Sequence, residues 1–443
     1  MGLVISIGAQ DFTYIRENRC FYIDKTGFIK EWWENGDVVT LITRPRRFGK
    51  TLNLSMTEAF FSNQYPDKGK LFEGLSIWKE EKYRKLCAGY PVIFFSFAGI
   101  KGDTYETARE SLIQMILDLY AKYSFLLSGT ALNSQERKYF DYIRPDMSDA
   151  VAAMSIHRLA LCMYRYYGKK VLIFLDEYDT PLQESYVYGY WEKLVLFIRS
   201  LLNYTFKTNM YLERGLLTGI TRISKESIFS DISNLEVVTT TSEKYAAAFG
   251  FTEEEVARAL DQYGMSDHLD QVRVWYNGFH FGSRKDIYNP WSITKYLDTK
   301  RFRPYWMNTS SNKLAGRLIR EGNADVKIAM EDLLAGHKMM AALDEEIVFE
   351  QLEESNESIW SLLLASGYLK VDNVITTGDE ELLYELSLTN LEVRKEFRKM
   401  ILRWFQNPVT RYNDFIKALL ENDVDYMNEY MIQLGLQTCS SFA

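Results

Sequence analysis

Residues 38–51 contain the feature that most constrains the fold of this chain. The apolar, β-branched run Val38-Val39-Thr40-Leu41-Ile42-Thr43 predicts a buried strand, and Gly49-Lys50-Thr51 begins a helix-like stretch after a short loop. Strand, loop, Gly-Lys-Thr and helix are the parts of a phosphate-binding loop, or P-loop. We therefore expect an α/β fold in which backbone N–H groups at a helix N-terminus bind phosphate oxygens.

The loop departs from the usual pattern. G-x-x-x-x-G-K-[ST] requires Gly where this chain has Arg44, and Pro45 pushes Arg44 towards extended backbone geometry. The loop is therefore expected to enter by a different path. We expect Lys50 to contact the β- and γ-phosphates and the Thr51 hydroxyl to bind Mg²⁺. Arg46 and Arg47 either add contacts to the nucleotide or serve a neighbouring subunit.

A second motif follows the continuous apolar run Val171-Leu172-Ile173-Phe174-Leu175, which predicts a strand covered on both faces. Asp176 at the carboxyl end of this strand is placed to order Mg²⁺. Glu177 beside it is placed to accept a proton from the attacking water. The alternative is a buried strand that ends in an acidic, solvated turn, but the Gly-Lys-Thr motif upstream favours the catalytic interpretation.

A third apolar strand, Gly215-Leu216-Leu217, ends in Thr218-Gly219-Ile220-Thr221-Arg222. Thr218 or Arg222 is expected to read the γ-phosphate, since a guanidinium matches phosphate geometry with two hydrogen bonds. The alternative for Arg222 is a surface pair with Glu226. The predicted catalytic residues are thus Glu177, Lys50 and Arg222, and the predicted metal ligands are Thr51 and Asp176. The predicted nucleotide contacts are Arg44, Arg46, Arg47, Phe48, Gly49, Lys50, Thr51, Leu52 and Thr218.

Composition excludes several classes of protein. The 443 residues are 47% hydrophobic, which is typical of a globular protein with two or three domains. The net charge of −8 gives no global field that attracts nucleic acid. The simplest interpretation assigns the local arginine cluster to nucleotide phosphates, and a nucleic-acid role for it is the less favoured alternative. The cysteines and histidines are scattered, which favours neither zinc nor disulfides. No signal peptide and no membrane-spanning run is evident, so we expect a cytoplasmic protein.

Strands that alternate with helices predict a parallel sheet with helices on both faces. Further on, helices followed by two short strands, Tyr368–Val371 and Tyr384–Leu388, suggest a winged-helix-like domain. Its acidic, Lys- and Arg-poor surroundings favour a structural or protein-contact role over DNA reading. The expected domains are an N-terminal arm (1–37), a P-loop ATPase core (38–245), a helical lid or connector (246–315), the winged-helix-like domain (316–391) and a C-terminal helical segment (392–443).

Local signals in the second half predict three further features. Thr252-Glu253-Glu254-Glu255 is a capping box that begins a helix. Asn277-Gly278 is typical of a hairpin turn, and Asn289-Pro290 of a helix start. Two closing helices are expected near residues 415–420 and 426–434.

Taken together, several motifs resemble those of the bacterial AAA-ATPase-like family. They are Gln10-Asp11-Phe12, Tyr22-Ile23-Asp24-Lys25-Thr26, the loop from Thr43 to Thr51, Leu175-Asp176-Glu177-Tyr178-Asp179, Thr218-Gly219-Ile220-Thr221-Arg222-Ile223-Ser224-Lys225 and Trp275-Tyr276-Asn277-Gly278-Phe279. The resemblance covers residues 1–290 and implies an ATPase core with an additional strand, in which the missing Gly at position 44 is normal. Many relatives carry a C-terminal PD-(D/E)XK nuclease-like domain, but its acidic signature is not found here, so we expect no nuclease activity from this chain.

These observations lead to a first hypothesis of Mg²⁺-dependent ATP binding and hydrolysis, coupled to a conformational change or to partner recruitment. The second hypothesis is a slow or non-hydrolysing, nucleotide-gated module that binds a protein partner through its C-terminal helical region. A third, which rests on the nuclease-bearing relatives, is a component of a defence or mobile-element system that acts with nucleic acid. A homo-oligomer is compatible with each hypothesis.

Overall fold

The computed structural model describes residues 3–64, 66–222, 228–229, 232–306, 313–343, 352, 355–376, 381–405 and 423–439. The chain divides into two compact units, Met1–Glu392 and Val393–Ala443. In the described part of the chain, no helix combines the length and the apolar character needed to cross a membrane.

A five-stranded parallel sheet forms the centre of the first unit, as the sequence predicts. Its strands are β1 (Val39–Thr43), β2 (Val92–Ser96), β3 (Val171–Asp176), β4 (Leu212–Gly219) and β5 (Leu235–Val238). The spatial order is β2-β3-β4-β1-β5, so β4 lies between the two strands that carry the phosphate motifs. Every residue of β1 and β3 is buried, which explains why both strands read as continuous apolar runs.

Helices surround this sheet. They are α1 (Phe12–Glu17), α2 (Gly27–Asn35), α3 (Lys50–Phe61), α4 (Glu81–Arg84), α5 (Tyr105–Lys122), α6 (Ser134–Asp141), α7 (Asp149–Ala153), α8 (Ser155–Tyr167), α9 (Thr180–Tyr188) and α10 (Trp191–Leu202). Their ends follow ordinary capping chemistry: the Thr104 hydroxyl accepts a hydrogen bond at the start of α5, and Gly168 ends α8 in the left-handed conformation.

The N-terminal segment contributes to the core of the sheet unit. Phe12, Phe28 and Trp32 are buried in the same apolar cluster as Phe60 of α3 and Phe174 of β3. The indole N–H of Trp32 donates to the hydroxyl of Thr40 in β1, at 3.2 Å. Residues 12–35 are therefore packed against the strand that leads into the phosphate-binding loop.

A second, smaller sheet follows, with β6 (Phe251–Thr252), β7 (Asn277–Phe281) and β8 (Arg284–Tyr288) in the order β6-β8-β7. The neighbouring helices are α11 (Glu253–Gln262), α12 (Leu269–Tyr276) and α13 (Pro290–Thr299). The capping box of α11 and the proline start of α13 are both present, as predicted.

The predicted hairpin turn at Asn277-Gly278 is wrong. Both residues lie within β7, and the chain reverses at Gly282-Ser283 instead. Gly278 has φ +127°, and a Cβ atom there would lie 2.1 Å from the carbonyl oxygen of Thr389. The glycine is required by this close backbone approach, which a reading of neighbouring residues alone cannot reveal.

The remainder of the first unit is mostly helical, with a three-stranded antiparallel sheet. Its elements are α14 (Lys313–Glu321), α15 (Ala324–Ala335), β9 (Met339–Ala341), α16 (Asn356–Ala365), β10 (Leu369–Thr376) and β11 (Leu382–Leu388). The sheet order is β10-β11-β9. The predicted ribbon of two strands is therefore extended by a third short strand, β9, which pairs with β11.

Two last helices complete the described chain. Helix α17 (Leu391–Phe405) begins at the end of the first unit, and α18 (Val424–Cys439) lies in the second unit. The helix predicted near residues 415–420 lies outside the described residues.

Candidate functional site

The loop between β1 and α3 has the backbone geometry of an anion-binding site. Arg47 has φ +66° and Gly49 has φ +82°, so two residues of the loop are left-handed. Helix α3 begins at Lys50 with Gly49 as its N-cap and without a side-chain cap. Loops of alternating backbone hand, followed by an uncapped helix N-terminus, direct backbone N–H groups towards an anion.

Lys50 lies beneath this loop and is held by it. Its ammonium group donates to the carbonyl oxygens of Arg44 and Pro45 at 2.9 and 3.0 Å. The side chain is only 6% exposed. Burial lowers the pKa of Lys50, while the nearby carboxylates of Glu177, Asp179 and Asp176 act in the opposite direction. A phosphate group that enters the loop would meet a cation already in place.

Asp176, the last residue of β3, connects this strand to β4 and to the start of helix α3. Its two carboxylate oxygens accept hydrogen bonds from the Thr51 hydroxyl at 2.7 Å and from the Thr218 hydroxyl at 2.6 Å. Asp176 is 1% exposed, and burial raises its pKa although both hydroxyl donors oppose that rise. The structure therefore brings together the two predicted metal ligands, Thr51 and Asp176, and orients one Asp176 oxygen through Thr218.

Oxygen ligands of this kind suit Mg²⁺, which usually takes one or two protein ligands and completes its octahedron with phosphate oxygens and water. Within the described residues, no group of three or more His, Cys, Asp or Glu side chains is placed to hold a metal ion by itself. Thr51 and Asp176 alone are therefore not a complete metal site. They fit a metal ion that is bound together with a phosphate ligand.

Glu177 follows Asp176 in a strained conformation. Its φ of +51° is unusual for a residue with a side chain and costs about 1 kcal/mol or more. The side chain is half-buried, lines the cleft, and its carboxylate accepts a hydrogen bond from the Thr180 hydroxyl at 3.2 Å. The turn directs this second carboxylate into the cleft, whereas Asp176 stays in the interior.

Asp179 has a structural function that the sequence did not reveal. One of its carboxylate oxygens accepts hydrogen bonds from the backbone N–H groups of Ile220 and Thr221, from the Thr221 hydroxyl and from the Gln183 amide, each at 2.9 Å. Asp179 thereby fixes the loop after β4 against the start of α9. The only sequence signal was its place in the run from Asp176 to Asp179.

A cleft of about 390 Å³ opens beside the loop. Its polar lining includes the phosphate-binding loop, Glu177, Thr180 and Gln183. Its apolar lining comes from the N-terminal segment and from the residues before α11, and includes Ile15, Phe21, Ile23, Ala248 and Phe251. The cleft therefore combines polar and cationic groups with apolar side chains, which suits a ligand with a charged and an aromatic part.

The remaining loop residues occupy different positions. Arg46 lines the cleft and its guanidinium lies 3.4 Å from the amide oxygen of Gln183. Arg47 is exposed, with its guanidinium 4.4 Å from the centre of the Trp291 ring at the cleft wall. Phe48 packs edge-on against Phe279 at 4.7 Å and anchors the loop in the interior. Gly49 and Leu52 also line the cleft.

The Arg44 side chain does not reach the cleft, in contrast to the expectation that it contacts the nucleotide. It is fully buried, and its guanidinium donates to the carbonyl oxygens of Thr43, Thr239 and Lys244 at 2.9, 2.6 and 3.4 Å. The Phe281 ring lies 4.6 Å away, and burial lowers the pKa of Arg44. Arg44 fills the place of the usual first glycine by turning its side chain into the protein.

Two further predicted contacts lie away from the cleft wall. Thr218 is fully buried and its hydroxyl is directed at Asp176, so it positions that carboxylate instead of lining the cleft. Arg222 follows β4, and it is not among the residues that line the cleft. Its alternative partner Glu226 lies outside the described residues.

Comparison with known proteins agrees with this geometry. Residues 6–229, about half of the chain, match the model of a family described as "Predicted AAA-ATPase". An "Uncharacterized protein in vnfD 5′region" from Azotobacter chroococcum mcd 1 is 28% identical over 433 residues, which cover 95% of this chain and 74% of that protein. The chain belongs to the AAA-ATPase-like family.

Proposed function

We propose that this AAA-ATPase-like protein binds ATP with Mg²⁺ in the cleft beside the loop of residues 44–49 and hydrolyses it. The observation that carries the proposal is that Lys50, Thr51 and Glu177 line one cleft of about 390 Å³, with Asp176 hydrogen-bonded to Thr51 in the interior beside them. Lys50 and Thr51 begin the helix that follows β1, and Asp176 and Glu177 lie at the carboxyl end of β3, so the packed sheet and helix fix their relative positions.

Each side chain has a distinct part in this proposal. Lys50 leaves the carbonyl oxygens of Arg44 and Pro45 and pairs with the β- and γ-phosphates. Thr51 and Asp176 hold Mg²⁺, which when bound neutralises charge on the phosphate oxygens. The Thr218 hydroxyl orients Asp176, and its hydrogen bond favours the ionised carboxylate.

Hydrolysis is assigned to Glu177. Its carboxylate lines the cleft next to the phosphate-binding loop and is oriented by Thr180. Glu177 accepts the proton of the water that attacks the γ-phosphorus, and ADP departs with the electrons of the broken phosphorus–oxygen bond. The apolar lining of the cleft, which includes Phe21 and Phe251, is assigned to the base.

The test is phosphate release and ATP binding by the wild type and by Glu177→Gln. The substitution preserves size and removes the proton acceptor, so we expect hydrolysis to fall by about 10²- to 10⁴-fold while the dissociation constant stays within about threefold. Thr180→Val is the matched control, because it removes only the hydrogen bond that orients Glu177 and should have a smaller effect.

Other outcomes lead to different conclusions. Tight ATP binding without measurable phosphate release by the wild type would favour the nucleotide-gated module over an ATPase. Equal hydrolysis by the wild type and Glu177→Gln would remove Glu177 from the mechanism. A protein that binds no ATP would contradict the proposed function altogether.

A further inference from the structure

The carbonyl group of Arg46, in the middle of the phosphate-binding loop, is held by two side chains from distant parts of the chain. The indole N–H of Trp306 donates to this oxygen at 2.9 Å, and the side-chain amide of Asn289 donates at 3.3 Å. Both donors are 1% exposed. Both also lie beyond residues 6–229, the part of the chain that matches the family model.

From this geometry we infer that Trp306 and Asn289 are positioning residues of the phosphate-binding loop, so that the nucleotide site is incomplete without residues 289–306. The inference rests on the proposed function. It adds residues from the region after β8 to a site that the motifs place entirely in the five-stranded sheet and its neighbouring helices.

The two donors are themselves firmly held. The Asn289 side-chain oxygen caps α13 by accepting from the backbone N–H groups of Trp291 and Ser292 at 2.9 and 3.2 Å. The carboxylate of Glu392, which is fully buried, accepts from the Ser292 hydroxyl at 2.8 Å and from the Trp306 backbone N–H at 2.6 Å. The two donors to Arg46 are therefore tied to each other through one buried carboxylate.

The direction of the held carbonyl determines what the loop can bind. In a trans peptide the C=O and the following N–H point in opposite directions. Trp306 does not line the cleft, whereas Arg46 and Arg47 do. A carbonyl of Arg46 fixed towards Trp306 therefore directs the N–H of Arg47 away from Trp306. Arg47 is left-handed, which is a backbone conformation from which anion-binding loops present an N–H group.

A separate contact restrains the preceding residue. Gly367, in the turn between α16 and β10, has φ +85°, and a Cβ atom there would lie 2.8 Å from Cγ of Pro45. The Tyr368 ring, next in the chain, lies 5.5 Å from the Trp306 ring. Gly367 thus contacts the loop at Pro45 and Trp306 contacts it at Arg46, and the two contacts are linked through the Tyr368 ring.

The experiment compares Trp306→Phe with the wild type. Phenylalanine keeps an aromatic ring against Phe279 and removes the N–H donor to Arg46, together with part of the buried ring volume, which a Trp→Phe control at another buried site also loses. We expect the dissociation constants of ATP, ADP and inorganic tripolyphosphate to rise about fivefold to tenfold, as for the loss of one hydrogen bond. The affinity for adenosine, which has no phosphate, should stay within about twofold.

The control is Trp32→Phe, because Trp32 is also fully buried and its indole N–H also donates a single hydrogen bond, to Thr40 at 3.2 Å. This variant should lose stability without a selective loss of phosphate affinity. Asn289→Ser is the second test variant, since serine still caps α13 but is too short to reach Arg46. It keeps the inference testable if Trp306→Phe does not fold.

The outcomes separate the inference from the proposed function. A selective loss of phosphate-bearing ligands in Trp306→Phe or Asn289→Ser supports the inference. Wild-type affinity for tripolyphosphate in both variants, or an equal loss for adenosine, overturns the inference and leaves the proposed function intact. A wild-type protein that binds neither ATP nor tripolyphosphate overturns both.

Discussion

Replacing Thr218 by valine removes one of two hydroxyl donors to the buried Asp176 carboxylate. Thr218 is fully buried and its hydroxyl lies 2.6 Å from Asp176, while Thr51 supplies the other bond at 2.7 Å. Valine has the same shape, so no cavity is created. A hydrogen bond to a charged group contributes about 1.5–3 kcal/mol, and we expect the free energy of unfolding of the ligand-free protein to fall by about 2 kcal/mol near pH 8.

The loss should depend on pH. Burial raises the pKa of Asp176, so its contribution to stability is full at low pH and is lost as pH rises through the raised pKa. The Thr218 hydrogen bond limits that loss because it stabilises the ionised carboxylate. Without this hydrogen bond the pKa of Asp176 rises further, and the stability of Thr218→Val falls further below that of the wild type as pH rises. At acid pH, where the Asp176 carboxyl is protonated in both proteins, the loss of stability should approach about 1 kcal/mol, the value of a neutral hydrogen bond.

Thr205→Val is the matched control. Thr205 is also fully buried and its hydroxyl donates at 2.7 Å, but to the uncharged carbonyl oxygen of Leu201. In urea unfolding at both pH values, without Mg²⁺ or nucleotide, the free energy of unfolding of Thr205→Val should be about 1 kcal/mol below that of the wild type. This difference should not change with pH. Equal and pH-independent deficits in the two variants would refute the view that Asp176 is a buried, ionised acceptor.

Two further substitutions test the packing around the site. Gly219→Ala would place a Cβ atom 2.5 Å from Cε1 of Tyr178, so we expect a loss of about 1–3 kcal/mol of stability, measured by urea unfolding; an unchanged midpoint would contradict the close packing. Lys25→Met breaks the 2.6 Å ion pair between Lys25, which is 9% exposed, and Glu255, which is 14% exposed. We expect the free energy of unfolding to fall by about 3–5 kcal/mol, because the Glu255 carboxylate is left buried without its partner. The double variant with Glu255→Gln should recover most of that loss in a thermal melt, and additive losses would argue against a coupled pair.

The parallel sheet and the centre of the site could be predicted from local sequence. Buried parallel strands leave continuous apolar runs, and the Gly-Lys-Thr and Asp-Glu motifs each follow such a run directly. The Thr51–Asp176 contact follows because neighbouring parts of a parallel sheet carry their carboxyl-end residues to the same edge.

Other features depend on contacts between residues that are far apart in the chain. Arg44 appeared to be a phosphate ligand because it belongs to a cationic loop, yet the carbonyl oxygens of Thr239 and Lys244 draw its side chain into the interior. Asn277-Gly278 is a pair typical of a turn, but it lies within a strand. Glycine is needed there because the Thr389 backbone passes too close to leave room for a side chain. The hydrogen bonds of Trp306 and Asn289 to Arg46 have no local signal, because both donors are ordinary core or capping residues by sequence.

The central claim is that the cleft binds the phosphates of a Mg²⁺-nucleotide through Lys50, and calorimetric titration with ATP and Mg²⁺ tests it most directly. The titration compares the wild type, Lys50→Met and, as a control, Lys85→Met, whose side chain is 73% exposed. We predict saturable binding by the wild type and Lys85→Met, and an affinity at least about tenfold weaker in Lys50→Met, because a buried cation is lost. Equal affinities in all three proteins, or no heat of binding in the wild type, would contradict the account.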